Sequence, residues 1–285
     1  MSNVEKRYRF ALIPAFRVRN AVGDKPMEEK LRNINFNYDK LKDLLQDVEI
    51  DLHDGATPTY GEWPVENREE FCFAAAARLP IVREACEKGK YNAIILLGGG
   101  EPGFFESREI ARKFNIPVTS CAFSQMHIAS MLGNKFSVID LAESHNMFYY
   151  NLVVQHGFTG KCASIRNINF PLPRPGHFNE PNIREEWAKA ERGEHSDAVE
   201  RAVSESLAAI EEDGAEVITF GCSGTFWLQP FIEERLDNLG WEVPVLDAYA
   251  CTIVLAKAMV DLGVDASGLM FPGDRPQKWR RKKIF

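Results

Sequence analysis

Two stretches of this chain repeat one another. Ala93-Ile94-Ile95-Leu96-Leu97-Gly98-Gly99-Gly100 and Val217-Ile218-Thr219-Phe220-Gly221-Cys222-Ser223-Gly224 match at a constant offset. Each is a short apolar and β-branched run entering a glycine-rich turn, the pattern of a buried parallel strand. A helical stretch follows each copy, Ser107 to Phe114 and Phe231 to Leu239. Next come short strands with Pro-Val, Ile116-Pro117-Val118 and Val243-Pro244-Val245, and then helices closed by Leu132-Gly133 and Leu262-Gly263. Such a repeat predicts two α/β units related by pseudo-symmetry. Their strand-end turns face each other across a cleft, where open parallel sheets bind ligands.

The two turns differ in one respect. Cys222 has Gly98 as its repeat mate, so one turn carries a sulfur and the other carries no side chain. A cysteine at a strand end that opens a helix lies beside unpaired N–H groups and the positive end of a dipole. Both favour thiolate over thiol, which suits a proton carrier or nucleophile. A small buried cysteine in a strand-end turn is the plain alternative. Ser223, Gly224 and Thr225 follow Cys222 at the helix start and join it as candidate substrate contacts.

The first turn, Gly98-Gly99-Gly100-Glu101-Pro102-Gly103, fits G-x-G-x-x-G in form. The acid expected about 20 residues on is missing in Thr119-Ser120-Cys121-Ala122, which argues against a dinucleotide. No Lys-Ser or Lys-Thr follows the glycines, so a Walker-type phosphate loop is excluded. A close approach of backbone to a small ligand fits better, with N–H groups suited to a carboxylate or enolate oxygen. Glu101 is a helix-start acid or a second acid/base group. Ser120, Cys121 and Ser124 stand at the end of one Pro-Val strand and Asp247 at the end of the other, placed for function or for capping. His127, one turn inside its helix, reads as packed or capping. The histidines and cysteines show no metal-ligand spacing, and no C-x-x-C pair suggests zinc or a disulfide framework.

These motifs resemble the aspartate/glutamate/hydantoin racemase superfamily, and its hydantoin racemase branch most. Glu101-Pro102-Gly103 stands where that branch has Asp-Pro-Gly. Gly221-Cys222-Ser223-Gly224 matches the motif of the second cysteine, and Phe136-Ser137-Val138-Ile139 follows the first unit as expected. The resemblance implies two pseudo-symmetric, flavodoxin-like lobes, each a parallel sheet flanked by helices, with the site between them. It also implies a cofactor-independent enzyme, in which two cysteines flank the substrate carbon on opposite faces. Here Gly98 occupies the first position. Arylmalonate-type decarboxylases resemble this arrangement, with one cysteine and one glycine. A homo-oligomer, dimer or higher, is implied as well.

Bulk properties agree with a globular enzyme. The 285 residues suffice for two lobes, expected as residues 1–118 with 225–285, and residues 119–224. A net charge of −7 argues against a nucleic-acid surface, and no apolar run approaches membrane-span length. Met1 to Arg9 is charged, unlike a signal peptide, so a reducing cytoplasm is expected. Helices are predicted over Met27–Gln46, over Ala74–Lys88 broken or started by Pro80, over His145–His156 and over Ser196–Glu212. Strands are predicted at Phe10–Pro14, Val48–Leu52, Phe136–Asp140 and Cys162–Ile168. Two irregular stretches, 55–67 and 169–194, carry Tyr60, Trp63, Arg174, His177 and Trp187 and read as a substrate lid or an oligomer contact. The basic run Lys278–Lys283, interrupted by Trp279, reads as a solvated tail.

Three reactions fit. Cys222 moves a proton at a carbon beside a carboxylate or ring carbonyl, as in a racemase with another second base. Alternatively it protonates one face after loss of carbon dioxide, or attacks a hydantoin-like or thiohydantoin-like ring as a nucleophile. The expected partner is a small carboxylate or hydantoin-like substrate, with no metal and no cofactor.

Overall fold

A computed structural model describes residues 6–18, 23–57, 63–177, 179–275 and 278. Tyr60 and most of the basic tail, including Trp279, lie outside the described residues. The continuous apolar runs become strands buried on both faces. Tyr8–Ile13 (β1), Val48–Leu52 (β2), Ala93–Leu96 (β3) and Val118–Ser120 (β4) form a parallel sheet in the order β2-β1-β3-β4. Phe136–Asp140 (β5), Cys162–Asn167 (β6) and Val217–Phe220 (β7) form a second parallel sheet in the order β6-β5-β7. Phe10, Leu12, Ile95, Ile139, Ile218 and Phe220 are all essentially inaccessible to solvent. Each such side chain stabilises by roughly 1.5–3 kcal/mol.

Arg68–Glu87 (α3) and Phe104–Arg112 (α4) pack together on the first sheet. Asn67 starts α3 with a capping box, its side chain accepting from Glu70 N–H. The helix runs through Pro80 without a break, so the expected interruption there does not occur. The predicted helix over 27–46 is two short pieces, Met27–Arg32 (α1) and Tyr38–Leu41 (α2). Asn35 between them has φ +64, which ends the helical path, and its side chain donates to the Ser223 carbonyl at 2.8 Å. A contact with the other lobe overrides the local periodicity.

The lobes exchange helices. Cys121–Leu132 (α5) leaves β4 of the first sheet and packs against β7 of the second. Ala248–Asp261 (α10) leaves the second lobe and packs against β3 and β4 of the first, with α5 and α10 in contact. Asn146–Gln155 (α6), Ile183–Glu191 (α7), Asp197–Glu211 (α8) and Gln229–Asn238 (α9) complete the second lobe. Ser196 caps α8 as its sequence suggests, accepting from Val199 N–H.

The lobe boundaries differ from those expected. Thr119 and Ser120 belong to β4 in the first sheet. Val245 bridges Ile218 in parallel beside β7, and α9 packs on α8, so residues 225–246 belong with the second sheet. The chain crosses at the starts of α5 and α10, because the helix after each Pro-Val strand covers the opposite sheet. One apolar core runs through both lobes, from Phe10 and Ile95 to Phe220, Phe226 and Tyr249. Among the described residues no helix is long and apolar enough to cross a membrane.

Candidate active site

The two glycine-rich turns meet. Backbone packs on backbone there, since a Cβ on Gly99 would overlap the carbonyl of Gly221. Gly98 has φ +102, a conformation open to glycine, and its missing Cβ would touch only Ala15 Cβ at 3.4 Å. Gly98, Gly99, Gly100, Cys222 and Ser223 line one small cavity of about 80 Å³ with Asp140, His145, Phe71 and Leu172.

Cys222 is anchored from below. Its N–H donates to Asp140 Oδ1 at 2.8 Å, and Leu141 N–H donates to the same oxygen at 2.7 Å. Its carbonyl accepts from Thr225 N–H and Thr225 Oγ1, so buried Thr225 fixes the turn rather than lining the cavity. Gly224 N–H points at the sulfur at 3.5 Å from the start of a 3-10 turn, Ser223–Leu228. Gly224 itself lines a larger adjoining cavity, and Ser223 lines both.

Two ionisable side chains face the sulfur region. Asp140 ends β5 wholly buried, and burial pushes its carboxyl up against the pull of His145 and the two N–H donors. Its Oδ2 finds no partner among the described residues. His145 precedes α6. Burial alone would lower its pKa, but the adjacent Cys222 sulfur, the Glu66 carboxylate and Asp140 raise it to about 11. His145 Nε2 lies 3.3 Å from Glu66 Oε2.

The glycine turn is held from behind. Arg78 of α3, fully buried, donates to the carbonyls of Pro14, Leu97 and Pro102. Glu101 is buried, and its carboxylate accepts from Ser120 Oγ, from Phe123 N–H at 2.6 Å and from His156 Nε2 at 2.9 Å. It is a helix-start acid of α5, the helix across the turn, rather than of α4. Glu101, Ser120 and Cys121 line neither cavity. Cys121 is buried, burial pushes its thiol far up, and the Gly98 N–H is directed at its sulfur. Ser124 is buried in α5, His127 is hydrogen-bonded to the Phe123 carbonyl, and Asp247 caps α10 through Ala250 N–H. No group of three metal-ligating side chains occurs among the described residues.

Both irregular stretches come to the site. Pro64 and Val65 of the first, and Leu172 of the second, line the small cavity, and Glu66 reaches His145. They are tied at Glu70, which accepts from Trp63 Nε1 at 3.3 Å and from both Arg174 terminal nitrogens at 2.6 and 3.0 Å. His177 pairs with Glu180 on the surface. Trp187 lines the larger cavity.

The family model described as Asp/Glu/Hydantoin racemase matches residues 64–256, which include both turns. The chain belongs to the Asp/Glu/hydantoin racemase family. A hydantoin racemase from Pseudomonas sp. (strain NS671) is 29% identical over 210 residues, 73% of each chain. The allantoin racemase structure from Pseudomonas fluorescens shares the fold at TM-score 0.71 and 24% identity, covering 95% of this chain and 99% of that one. Arylmalonate decarboxylase shares it more distantly, at TM-score 0.52 and 12% identity over 89% and 92%. The racemase family membership makes this an enzyme of the racemase/isomerase kind. Asp140, His145 and Glu66 went unnoticed as site residues in the sequence. The signal available was Asp140 at a strand C-terminus, level with the two turns.

Proposed function

We propose that the protein is a cofactor-independent racemase or isomerase acting on a small amino-acid or hydantoin-like carbon acid, with Cys222 as its proton carrier. The observation that carries this reading is Cys222 beside the His145–Glu66 pair, in a cavity it shares with Gly98. The thiolate removes the proton from the carbon next to a carbonyl, and the electron pair moves into that carbonyl as an enolate. The N–H groups of Gly99, Gly100 and Ser223 have no acceptor among the described residues and are placed to donate to the enolate oxygen. Racemisation then needs a second, non-cysteine acid to deliver a proton to the opposite face, since return from the Cys222 thiol restores the starting hand. The His145 cation steadies the sulfur's charge while it is deprotonated.

Gly98 supports a second reading. With no side chain opposite Cys222, that face has room for a departing carboxylate, so carbon dioxide leaves there and Cys222 protonates the enolate from its own side. Ring attack by the sulfur is the third. Incubation with single enantiomers of 5-substituted hydantoins, amino acids and arylmalonates in deuterated water separates them. Deuterium uptake with loss of optical activity supports the racemase. Gas release with one-sided deuteration selects the decarboxylase, and ring opening selects nucleophilic attack. Exchange that persists in Cys222→Ser would overturn the role of the sulfur.

A further inference from the structure

The small cavity at Cys222 adjoins a larger one of about 500 Å³. The two share Ala15, Phe16, Pro64, Gly98, Leu172 and Ser223, so a substrate held at the sulfur has a continuous path outward. One wall of the larger cavity is α7. It presents Arg184, Trp187, Ala188 and Glu191, the i, i+3, i+4, i+7 spacing of a single helix face.

Arg184 lines this cavity without a counter-ion among the described residues. Arg32, which lines the same cavity, is paired with Glu28 and Asp39. Arg184 forms no ion pair or hydrogen bond among the described residues. Its neighbour Glu186 turns inward to Ser196, Ala198 and Lys189 and is not its counter-ion. A cation in the first turn of α7 also opposes the helix dipole. Arg184 is exposed, at the rim of the cavity. Its place in the first turn does not favour the fold, and an anion docked at the cavity rim would offset that repulsion and gain a charge-assisted pair.

We propose that Arg184 is a specificity residue that binds a carboxylate carried by the substrate beyond its reacting carbon. The substrate class is then a ring carbon acid of the hydantoin type whose substituent ends in a carboxylate. Glu191, farther along the same face, repels longer anionic chains and limits the reach of that substituent. The inference rests on the proposed function for the hydantoin-type ring and for the position of the reacting carbon at Cys222.

Binding can be read without turnover in Cys222→Ser. Calorimetric titrations would use 5-(2-carboxyethyl)hydantoin, 5-propylhydantoin, glutarate and butyrate, each against that variant with and without Arg184→Met. The carboxylated hydantoin is expected to bind about tenfold tighter than the propyl compound, with the preference collapsing to about unity when Arg184 is replaced. In active protein the loss for the carboxylated substrate should sit in KM more than in kcat. Glutarate binding that depends on Arg184, with neither hydantoin bound, would overturn the assignment of a ring-type substrate. Affinities for all anions that ignore the Arg184 substitution would overturn the inference, whatever racemisation assays show.

Discussion

Cys222 and Gly98 are repeat mates, and the physical difference between them sets the chemistry at residue scale. Cys222→Ser is nearly isosteric, so the fold should persist while turnover drops on the order of 10³-fold. Circular dichroism and steady-state rates check both halves of that expectation. His145 offers a test that does not depend on the substrate. Its raised pKa means that its cation contributes stability fully below about pH 6.5, a contribution lost as pH rises through about 11. Nitrogen NMR should therefore show imidazolium at pH 8, reverting toward neutral imidazole in Cys222→Ser or Glu66→Gln. A neutral ring in the parent at pH 8 would contradict the arrangement. Gly98→Cys has space beside Ala15 but an unfavourable φ of +102. A stability cost of roughly 1–2 kcal/mol is expected, seen as a Tm a few degrees lower. If the folded variant gains racemisation while the parent protonates mainly one face, the two turns do flank the substrate carbon.

At the scale of elements, the site is assembled by loops pinned to rigid helices. Glu70 of α3 joins the stretches around Trp63 and Arg174, with its residue only 3% exposed. Its pKa falls to about 2: burial raises it, and the Arg174 pair with the Glu66 and Trp63 donors more than offsets that. A depressed carboxyl contributes stability present above its unfolded value and lost as pH falls through about 2. Glu70→Gln keeps the shape but removes the charge from Arg174. It should cost on the order of 2 kcal/mol and speed proteolysis within 169–182. Unaltered proteolysis would mean that the clamp does not order the second stretch. Loops of this kind leave little trace in sequence. Prolines and aromatics mark their existence, but the partner at Glu70 is 104 residues from Arg174.

Across the whole molecule, the exchanged helices couple the lobes. Gln125 of α5 reaches β7, where its amide accepts from Phe220 N–H at 2.8 Å and donates to the Phe220 carbonyl at 3.0 Å. Thr119 of β4 donates to the Thr252 carbonyl on α10 in the opposite crossing. Because one core spans both sheets, urea unfolding should be a single transition by fluorescence and by circular dichroism. Gln125→Leu strands the buried Phe220 N–H, while the Phe220 carbonyl keeps the Tyr149 hydroxyl, and should lower stability by about 1–3 kcal/mol. It should also reduce activity, since Phe220 lies two residues before Cys222. Separate transitions for the two lobes would refute the coupling.

The sequence by itself determined the α/β class, the repeated units, the two turns and the contrast between Cys222 and Gly98. Strand periodicity and glycine turns are local signals, and a repeat doubles them. Only tertiary structure decided that Glu101, Ser120 and Cys121 lie behind the turn, bonded to α5 and α6 rather than lining the cavity. It alone brought Asp140, His145 and Glu66 to the sulfur and broke the helix at Asn35 so that its side chain could reach Ser223. The physical reason is the same in each case. Side-chain direction and long-range hydrogen bonding depend on how two sheets pack across a shared core, and no stretch of neighbouring residues carries that information.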